Sequence, residues 1–548
     1  MKSFYKSLSI FLLGTITASC AAATPTPTQL PEATQTPIVS QGTEGFPWWN
    51  DTVFYEIFVR SFRDSDGNGT GDFNGITEKL DYLHDLGIKG IWLMPINPSP
   101  SYHGYDVTDY YAVNPDYGTL DDFNHLLEEA HKRDIKVIID LVLNHTSSKH
   151  PWFQKALTPG SEYHDWYKWS ETDPGTLGPW GAKAWYQASN GQYYYALFWD
   201  QMPDLNYDHQ AVRAEIKKIT SFWLKDIGID GFRLDAVRYM VEDEQLADSS
   251  ANHQFLEEWG TYYRELKPNA FTVGEAWTDN ANVKKYTETN KELTSAFNFD
   301  LSTAMLKSLN ESNNTNVRFV LQTTIRDFPE QDNANFITNH DMTRVINQLG
   351  TDKESRAKIA AAILLTAPGI PFIYYGEEIG MSGAKPDELI RTPMQWTGDA
   401  GAGFTTGKPW EPINADFNLV NVVSETSDHT SLLEDYRTLI QLRNEHPALR
   451  VGKTYVAESN SNKLVTYLRA SQNETLLIII NLGNKSIRDY KLDLSSGSLA
   501  GRYTAASLLD EATINSLKAN DKGGFDAYTP LQEIPPYGVI VIQLTSQK

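Results

Sequence analysis

The stretch Gly231-Phe232-Arg233-Leu234-Asp235 decides the expected fold, because it joins a short apolar strand to an acidic residue. Two further runs have the same form, Phe271-Thr-Val-Gly-Glu275 and Asn335-Phe-Ile-Thr-Asn-His-Asp341. Each places an acidic residue just beyond an apolar segment that we predict to be a buried strand. In a closed barrel of parallel strands, functional groups lie at the carboxyl ends of the strands. Asp235, Glu275 and Asp341 are therefore predicted to share one site.

Strand-like and helix-like segments alternate outward from this stretch over residues 46–445. The segments between strands have helical spacing, as where Leu80, Leu83 and Leu86 recur on one face. This alternation predicts an α/β fold, a closed (β/α)8 TIM barrel. The eight predicted strands are 53–59, 88–93, 137–142, 231–234, 271–273, 297–299, 335–338 and 371–375.

Two segments depart from the alternation. Residues 145–204 separate the third and fourth strands and are rich in Trp, Tyr, Gly and Pro, which predicts a small inserted domain beside the site. Residues 446–548 contain strand-like runs with turn residues between them, which predicts a C-terminal antiparallel β-sandwich. The catalytic barrel is then expected to comprise residues 46–144 and 205–445.

The N-terminal 45 residues have the composition of a targeting and tethering segment. Lys2 and Lys6 precede a short apolar run of signal-peptide length, and the small residues before Cys20 resemble a bacterial lipoprotein processing site. We predict a signal peptide over 1–19 and a lipidated, Pro/Thr-rich tether over 20–45. The protein is expected outside the cytoplasm, anchored to a bacterial membrane. Because Cys20 is the only cysteine, no disulfide can form within the chain.

The charge of the chain bears on its partners. The formal net charge is −23, and no long basic run occurs beyond the N-terminus. Nucleic-acid binding requires clustered Lys and Arg, so a nucleic-acid partner is not expected. A neutral substrate is compatible with this charge, as is solubility alone. We expect the protein to be a monomer.

Five runs, taken in order, resemble the motifs of the α-amylase family of glycoside hydrolases. They are residues 140–145, 201–206, 231–235, 274–275 and 339–341. The resemblance covers about residues 46–548 and implies a retaining double displacement by two carboxyl groups. It implies Asp235 as nucleophile and Glu275 as general acid and then base. Asp341 is implied to bind sugar hydroxyls and to help distort the ring.

The same resemblance implies a set of sugar-binding residues around these acids. Arg233 lies two residues before Asp235, on the same face of the strand, where its cation keeps the nucleophile ionised. His145 and His340 are implied to donate hydrogen bonds to sugar hydroxyls, and Tyr105 to stack on the ring. The full predicted substrate-binding set is Tyr105, His145, Arg233, His340, His103 and Arg391.

The run Asp64-Ser-Asp-Gly-Asn-Gly-Thr-Gly-Asp72 predicts a Ca²⁺ loop, because oxygen donors alternate with glycines. The predicted ligands are the side chains of Asp64, Asp66, Asn68 and Asp72 and the carbonyl of Thr70. A polar turn without an ion is the alternative. The calcium site more familiar in α-amylases is disfavoured, since Tyr239 stands where that site has His.

The residues that resemble specificity determinants point in two directions. Runs 391–396 and 403–407 resemble the exo-acting α-glucosidase and oligo-1,6-glucosidase branch of the family. That branch usually has Asp at the position of Tyr102, and Tyr there resembles α-amylases with an open cleft. Arg391 is then expected to lack its usual carboxylate partner.

We predict cleavage of α-1,4-glucosidic bonds in starch and maltooligosaccharides, with transglycosylation open as a further reaction. An exo-acting α-glucosidase or oligo-1,6-glucosidase is the alternative. A non-catalytic, glucan-binding surface lipoprotein is a remote alternative, because it would require the loss of a catalytic carboxylate and all are present.

Overall fold

The computed structural model describes residues 41–242 and 247–547. The predicted signal peptide, the lipidation site Cys20 and nearly all of the predicted tether lie outside these residues. Among the helices of the described ranges, none has the length and apolar character needed to cross a membrane.

Strands and α-helices alternate along most of the chain. The strands are β1 (Phe54–Ile57), β2 (Gly90–Leu93), β3 (Lys136–Leu141), β4 (Trp169–Ser170), β5 (Trp185–Gln187), β6 (Tyr193–Tyr195), β7 (Gly231–Leu234), β8 (Phe271–Gly274), β9 (Ser295–Phe297), β10 (Asn333–Asn335), β11 (Ile370–Tyr374), β12 (Lys453–Val456), β13 (Glu458–Ser459), β14 (Leu464–Ala470), β15 (Thr475–Asn481), β16 (Leu492–Leu494), β17 (Arg502–Ser507), β18 (Leu517–Lys518), β19 (Phe525–Tyr528) and β20 (Val539–Ser546). The α-helices are α1 (Val59–Phe62), α2 (Phe73–Glu78), α3 (Leu80–Leu86), α4 (Leu120–Lys132), α5 (Pro151–Ala156), α6 (Gln210–Ser221), α7 (Ser250–Leu266), α8 (Asn280–Val283), α9 (Phe299–Glu311), α10 (Thr315–Asp327), α11 (Val345–Gln348), α12 (Lys353–Thr366), α13 (Asp387–Ile390), α14 (Val422–Thr426), α15 (Leu432–Glu445) and α16 (Pro447–Val451).

Eight parallel strands close into a barrel in the order β1-β11-β10-β9-β8-β7-β3-β2, which confirms the predicted (β/α)8 fold. Strand β1 pairs with both β2 and β11, so the first and last barrel strands complete the ring. All eight predicted strands are present. Because the strands are parallel, the residues that follow each of them emerge at one end of the barrel.

Aromatic rings fill the interior of the barrel below that end. Phe54 stacks on Phe372, with ring centroids 4.6 Å apart, and on Phe271, at 5.0 Å. Trp48 and Trp49, which precede β1, contact Phe271 at the opposite end from the site. The interior is therefore a packed core, and a substrate can reach only the carboxyl ends of the strands.

Two strands begin and end about two residues earlier than the sequence predicts. Strand β9 stops at Phe297 because the Asn298 side chain accepts a hydrogen bond from the Leu301 amide and starts α9. Strand β10 contains Asn333 and Asn335, whose amide groups both donate to the Pro368 carbonyl. These buried amides interrupt the apolar pattern on which the prediction depends.

The insertion between β3 and β7 contains a small antiparallel sheet in the order β4-β6-β5. Beyond α16, two antiparallel sheets follow, in the orders β12-β14-β15-β20-β17-β18 and β13-β16-β19. Alternate residues of β15 face different cores. Ile478 belongs to the core shared with the barrel helices, whereas Leu477 and Ile479 belong to the core between the two C-terminal sheets.

Candidate active site

Backbone hydrogen bonds place two of the three predicted acids at the carboxyl ends of neighbouring strands. The Asp235 amide donates to the Leu141 carbonyl at 3.3 Å, and the Glu275 amide donates to the Leu234 carbonyl at 3.0 Å. Each bond continues the ladder between adjacent barrel strands. Asp341 lies on the segment after β10, where its amide donates to the Asn339 side chain at 3.0 Å.

Arg233 connects the carboxyl groups of the site. One terminal nitrogen, Nη1, lies 2.8 Å from Asp235 Oδ1 and 2.8 Å from Asp140 Oδ1. The other, Nη2, lies 2.7 Å from Glu275 Oε2. Because Arg233 is fully buried within β7, its planar guanidinium fixes these carboxyls relative to each other. The predicted nucleophile and the predicted acid thus share one cation.

Glu275 has the protonation behaviour that a general acid requires. Burial raises the pKa of its carboxyl to about 7, with the charges of Asp235 and Asp341 adding to the rise and that of Arg233 opposing it. At neutral pH a substantial fraction of the carboxyl therefore carries a proton. Its Oε2 lies 3.3 Å from the Ala236 amide, so Glu275 stands against the residue that follows Asp235.

Asp341 is held as a carboxylate by two cations. Burial alone would raise its pKa, but His340, 3.1 Å away, and Arg391, 2.9 Å away, bring it well below the usual range. Burial opposes the charge on His340, yet Asp341 and Glu56 raise the pKa of its imidazole to about 10. His340 Nδ1 lies 2.5 Å from Glu56 Oε1, so both ring nitrogens face acceptors. Asp341 is therefore ionised and able to accept hydrogen bonds from sugar hydroxyls.

The predicted sugar-binding residues form a continuous wall beside the acids. Tyr105 stacks on His340, with centroids 5.7 Å apart and planes 16° apart, and its hydroxyl lies 2.7 Å from His340 Nε2. His103 also stacks on the Tyr105 ring, with centroids 6.0 Å apart. His145 Nε2 lies 3.2 Å from the Tyr105 carbonyl. Burial lowers the pKa of both His103 and His145, so they are neutral at pH 7 and retain one ring N–H each.

Arg391 does not have an Asp at position 102 as a partner, but the structure gives it two other carboxylate partners. Its Nη2 lies 2.9 Å from Asp341 Oδ1 and 3.3 Å from Asp387 Oδ2. The cation is satisfied because Asp387, four residues earlier, opens helix α13 beside the site. Tyr102 lies below the guanidinium, 5.9 Å from its central carbon, and stacks on Trp410 at 5.4 Å.

The sequence analysis gave no role to two acidic residues of the site, Glu56 and Asp140, although Asp140 begins the 140–145 motif. Glu56 lies within β1 and holds His340, and Asp140 lies within β3 and contacts both Arg233 and the Tyr105 hydroxyl, at 3.1 Å from the latter. The signal was present, because each is a single charge inside an otherwise apolar strand. A charge buried in such a strand requires a partner.

The predicted metal loop brings three carboxylates together. Oxygen atoms of Asp64, Asp66 and Asp72 all lie within 4.8 Å of one another, and none of the ion pairs in the described ranges involves them. Asp64 is buried, and its oxygens accept hydrogen bonds from the Gly67 and Gly69 amides at 2.8 Å. Three carboxylates without a cationic side chain are a donor set that suits a hard divalent cation. Asn68, another predicted ligand, donates its Nδ2 to Asp66 and accepts from the Thr70 amide.

Tyr239, at the disfavoured calcium position, is surrounded by aromatic rings. Its ring centroid lies 5.7 Å from that of Trp180 and 5.8 Å from that of Phe198. Asn144 points its amide nitrogen at Asp204, 3.0 Å away. The side chain that replaces the family's His is thus part of an aromatic cluster.

A closed barrel in which Asp235 and Glu275 share Arg233 at the carboxyl ends of the strands, with Asp341 beside them, is the arrangement expected of a barrel glycoside hydrolase. Residues 56–452 match the family model for the α-amylase catalytic domain. The chain belongs to the α-amylase family of glycoside hydrolases.

Relatives with different specificities are similar to this chain. Alpha-amylase 3 of Dictyoglomus thermophilum is 42% identical over 441 residues, which cover 80% of this chain and 85% of that protein. The oligo-1,6-glucosidase of Heyndrickxia coagulans is 33% identical over 535 residues, 83% of this chain and 96% of its own. The crystal structure of the α-amylase from H. orenii has a TM-score of 0.78 at 40% identity, covering 90% of this chain and 99% of that one. These comparisons give the family and not the bond that is cleaved.

Proposed function

We propose that the protein is a retaining glycoside hydrolase that cleaves α-1,4-glucosidic bonds in starch and maltooligosaccharides, and that it also transfers glycosyl groups. Tyr102 carries the proposal. A carboxylate at position 102 would confine the site to one terminal sugar. The Tyr102 ring, which stands there instead, stacks on Trp410. Aromatic faces present apolar surface to a sugar ring and do not end the binding site. Arg391 is occupied by Asp341 and Asp387 instead.

The proposed reaction has two steps. Glu275 gives its proton to the departing glycosidic oxygen while Asp235 forms a bond to the anomeric carbon. Glu275, now a carboxylate, then takes a proton from water, whose oxygen attacks that carbon and releases Asp235. A sugar hydroxyl in place of water gives transglycosylation. The shared contacts of Asp235 and Glu275 with Arg233 support this assignment, since retaining enzymes hold the two carboxyls about 5–5.5 Å apart.

A product time course on maltoheptaose with a blocked reducing end tests the function. We expect early internal cuts that give mixtures of blocked and unblocked maltooligosaccharides. Asp235→Asn serves as the inactive control. Release of single glucose units from the non-reducing end would instead establish the exo-acting α-glucosidase.

We propose that Asp64, Asp66 and Asp72 bind Ca²⁺ together with Asn68 and the Thr70 carbonyl. The support is the gathering of three carboxylates with no cationic side chain among them. The ion would tie the loop after α1 together and would take no part in bond cleavage. Calorimetric titration of chelator-treated protein with Ca²⁺ should show one site, and the absence of any binding heat would contradict it.

We further propose that the enzyme is exported, lipidated at Cys20 and monomeric. The support is the charged and apolar N-terminal pattern that ends at the only cysteine. In cells, Cys20→Ala should move activity from the membrane to the soluble fraction. Light scattering on the purified protein should give the mass of one chain.

A further inference from the structure

We propose that Trp180 is a stacking platform for the sugar on the leaving-group side of the scissile bond. This inference rests on the proposed function. Trp180 stands at the tip of a hairpin in the insertion, where Leu177 and Lys183 form an antiparallel bridge. The turn is closed by the Gly178 amide, which donates to the Ala182 carbonyl at 2.8 Å.

The tip displays an apolar ring that the fold does not bury. Trp180 is 59% exposed, more than Leu177 at 57% and Trp199 at 44%, the other exposed large apolar residues of the insertion. Its ring is nevertheless held in place by Phe198 at 5.3 Å and Tyr239 at 5.7 Å. A fixed, exposed tryptophan offers a flat apolar face at low entropic cost to a ligand.

The contacts of Phe198 and Tyr239 locate the ring beside the catalytic groups. Phe198 lies between Trp180 and His145, with its ring centroid 5.6 Å from that of His145. Tyr239 follows Asp235 by four residues, and its amide donates to the Ala236 carbonyl at 3.0 Å. Trp180 is therefore separated from the site by single side chains.

Glu275 decides which side of the bond Trp180 faces. A proton donor must lie against the departing oxygen. Glu275 Oε2 lies 3.3 Å from the amide of Ala236, the residue whose carbonyl accepts from the Tyr239 amide. Tyr105, His340 and Asp341 form a separate wall that faces the sugar under attack. The departing sugar, and later the acceptor that replaces it, thus leaves toward the Trp180 hairpin.

Trp180→Ala tests the platform with two substrates. Maltoheptaose places sugars on both sides of the bond, whereas an aryl α-maltotrioside that releases a nitrophenol places no sugar on the leaving-group side. We expect kcat/KM to fall about fivefold for maltoheptaose, because a stacking contact contributes roughly 1 kcal/mol, and to change less than twofold for the aryl substrate. With added maltotriose as acceptor, the ratio of transfer to hydrolysis should fall as well.

Three controls keep the outcomes distinct. Trp180→Phe keeps an aromatic face and should retain most of the activity, and thermal unfolding of each variant reports on the fold. Phe319→Ala removes an aromatic ring of α10 that is 63% exposed and should change nothing. Equal losses on both substrates, or no loss on maltoheptaose, would overturn the platform. If wild type releases glucose singly while Trp180→Ala still loses only maltoheptaose activity, the proposed endo specificity fails and the platform stands.

Discussion

At the scale of single residues, Glu275 is expected to act through its proton. Glu275→Gln keeps the shape but cannot donate, so kcat/KM for maltoheptaose should fall by about 10²–10⁴. The loss should be much smaller for an aryl α-maltotrioside, whose nitrophenolate departs without protonation. Kinetics on both substrates check this, with Glu288→Gln as a control because Glu288 is exposed. Equal losses on the two substrates would contradict an acid role.

The pH dependence follows from the same carboxyl. Burial, with Asp235 and Asp341 beside it, raises the pKa of Glu275 to about 7. The protonated form that gives its proton away predominates below this value and is lost above it. For maltoheptaose, kcat/KM should therefore decline as pH rises through about 7, and a pH–rate profile measures the decline. Activity that stays constant up to pH 9 would show that another group is the donor.

Much of the site follows from the sequence, residue by residue. Asp235, Glu275 and Asp341 occur directly after apolar runs, so their convergence follows from the parallel barrel. The partners of Arg391 could not be predicted from the sequence, because Asp387 belongs to a short helix whose position relative to Asp341 depends on a long loop. Glu56 was not predicted to belong to the site, although a single charge in an apolar strand indicates a buried partner, which here is His340.

At the scale of elements, the proposed Ca²⁺ site in the loop from Asp64 to Asp72 has a consequence for stability. It follows α1, and the Asp72 side chain caps α2 by accepting from the Gly75 amide at 2.7 Å. Chelation should lower Tm, because three carboxylates would be left without a counter-ion. Asp66→Ala should abolish the response of Tm to Ca²⁺, whereas the exposed Asp85→Ala should preserve it. Differential scanning calorimetry with and without chelator makes the comparison, and a Tm indifferent to Ca²⁺ would rule the site out.

Element boundaries were predictable where the apolar pattern was simple. Strand β7 begins and ends where the sequence predicts, because Gly231 and Asp235 bound it clearly. Strand β10 was displaced, since its polar Asn333 and Asn335 are buried through hydrogen bonds to Pro368. The small sheet of β4, β5 and β6 was not assigned strand by strand, because strands of two or three residues give no usable period.

At the scale of the whole molecule, the buried Arg469 joins the C-terminal sheet to the barrel, and the buried Arg443 holds the barrel segment that it contacts. Arg469 in β14 donates to the Thr366 carbonyl at 2.9 Å and to Gln331 Oε1 at 3.0 Å. Arg443 in α15 donates to the Gly369 carbonyl at 2.6 Å. These bonds satisfy carbonyl groups that precede β11 and that water does not reach.

Arg469→Ala should therefore lower the free energy of unfolding by about 3 kcal/mol or more, because it leaves buried acceptors unsatisfied and opens a cavity. Arg488→Ala is the matched control, since that C-terminal arginine is exposed and should change stability by less than about 0.5 kcal/mol. Denaturant unfolding measures both. Similar stabilities for the two variants would mean that Arg469 does not hold the two parts together.

The contact between Glu56 and His340 links catalysis to the completion of folding. Glu56 belongs to the first barrel strand and His340 to the segment before the last, so nearly 300 residues of chain must be arranged before they meet. In a refolding experiment, tryptophan fluorescence reports the collapse of separate segments, whereas hydrolytic activity returns only when the eight-stranded barrel has closed. The rate at which activity recovers therefore reports the final step of folding, and a partly folded chain cannot hydrolyse its substrate.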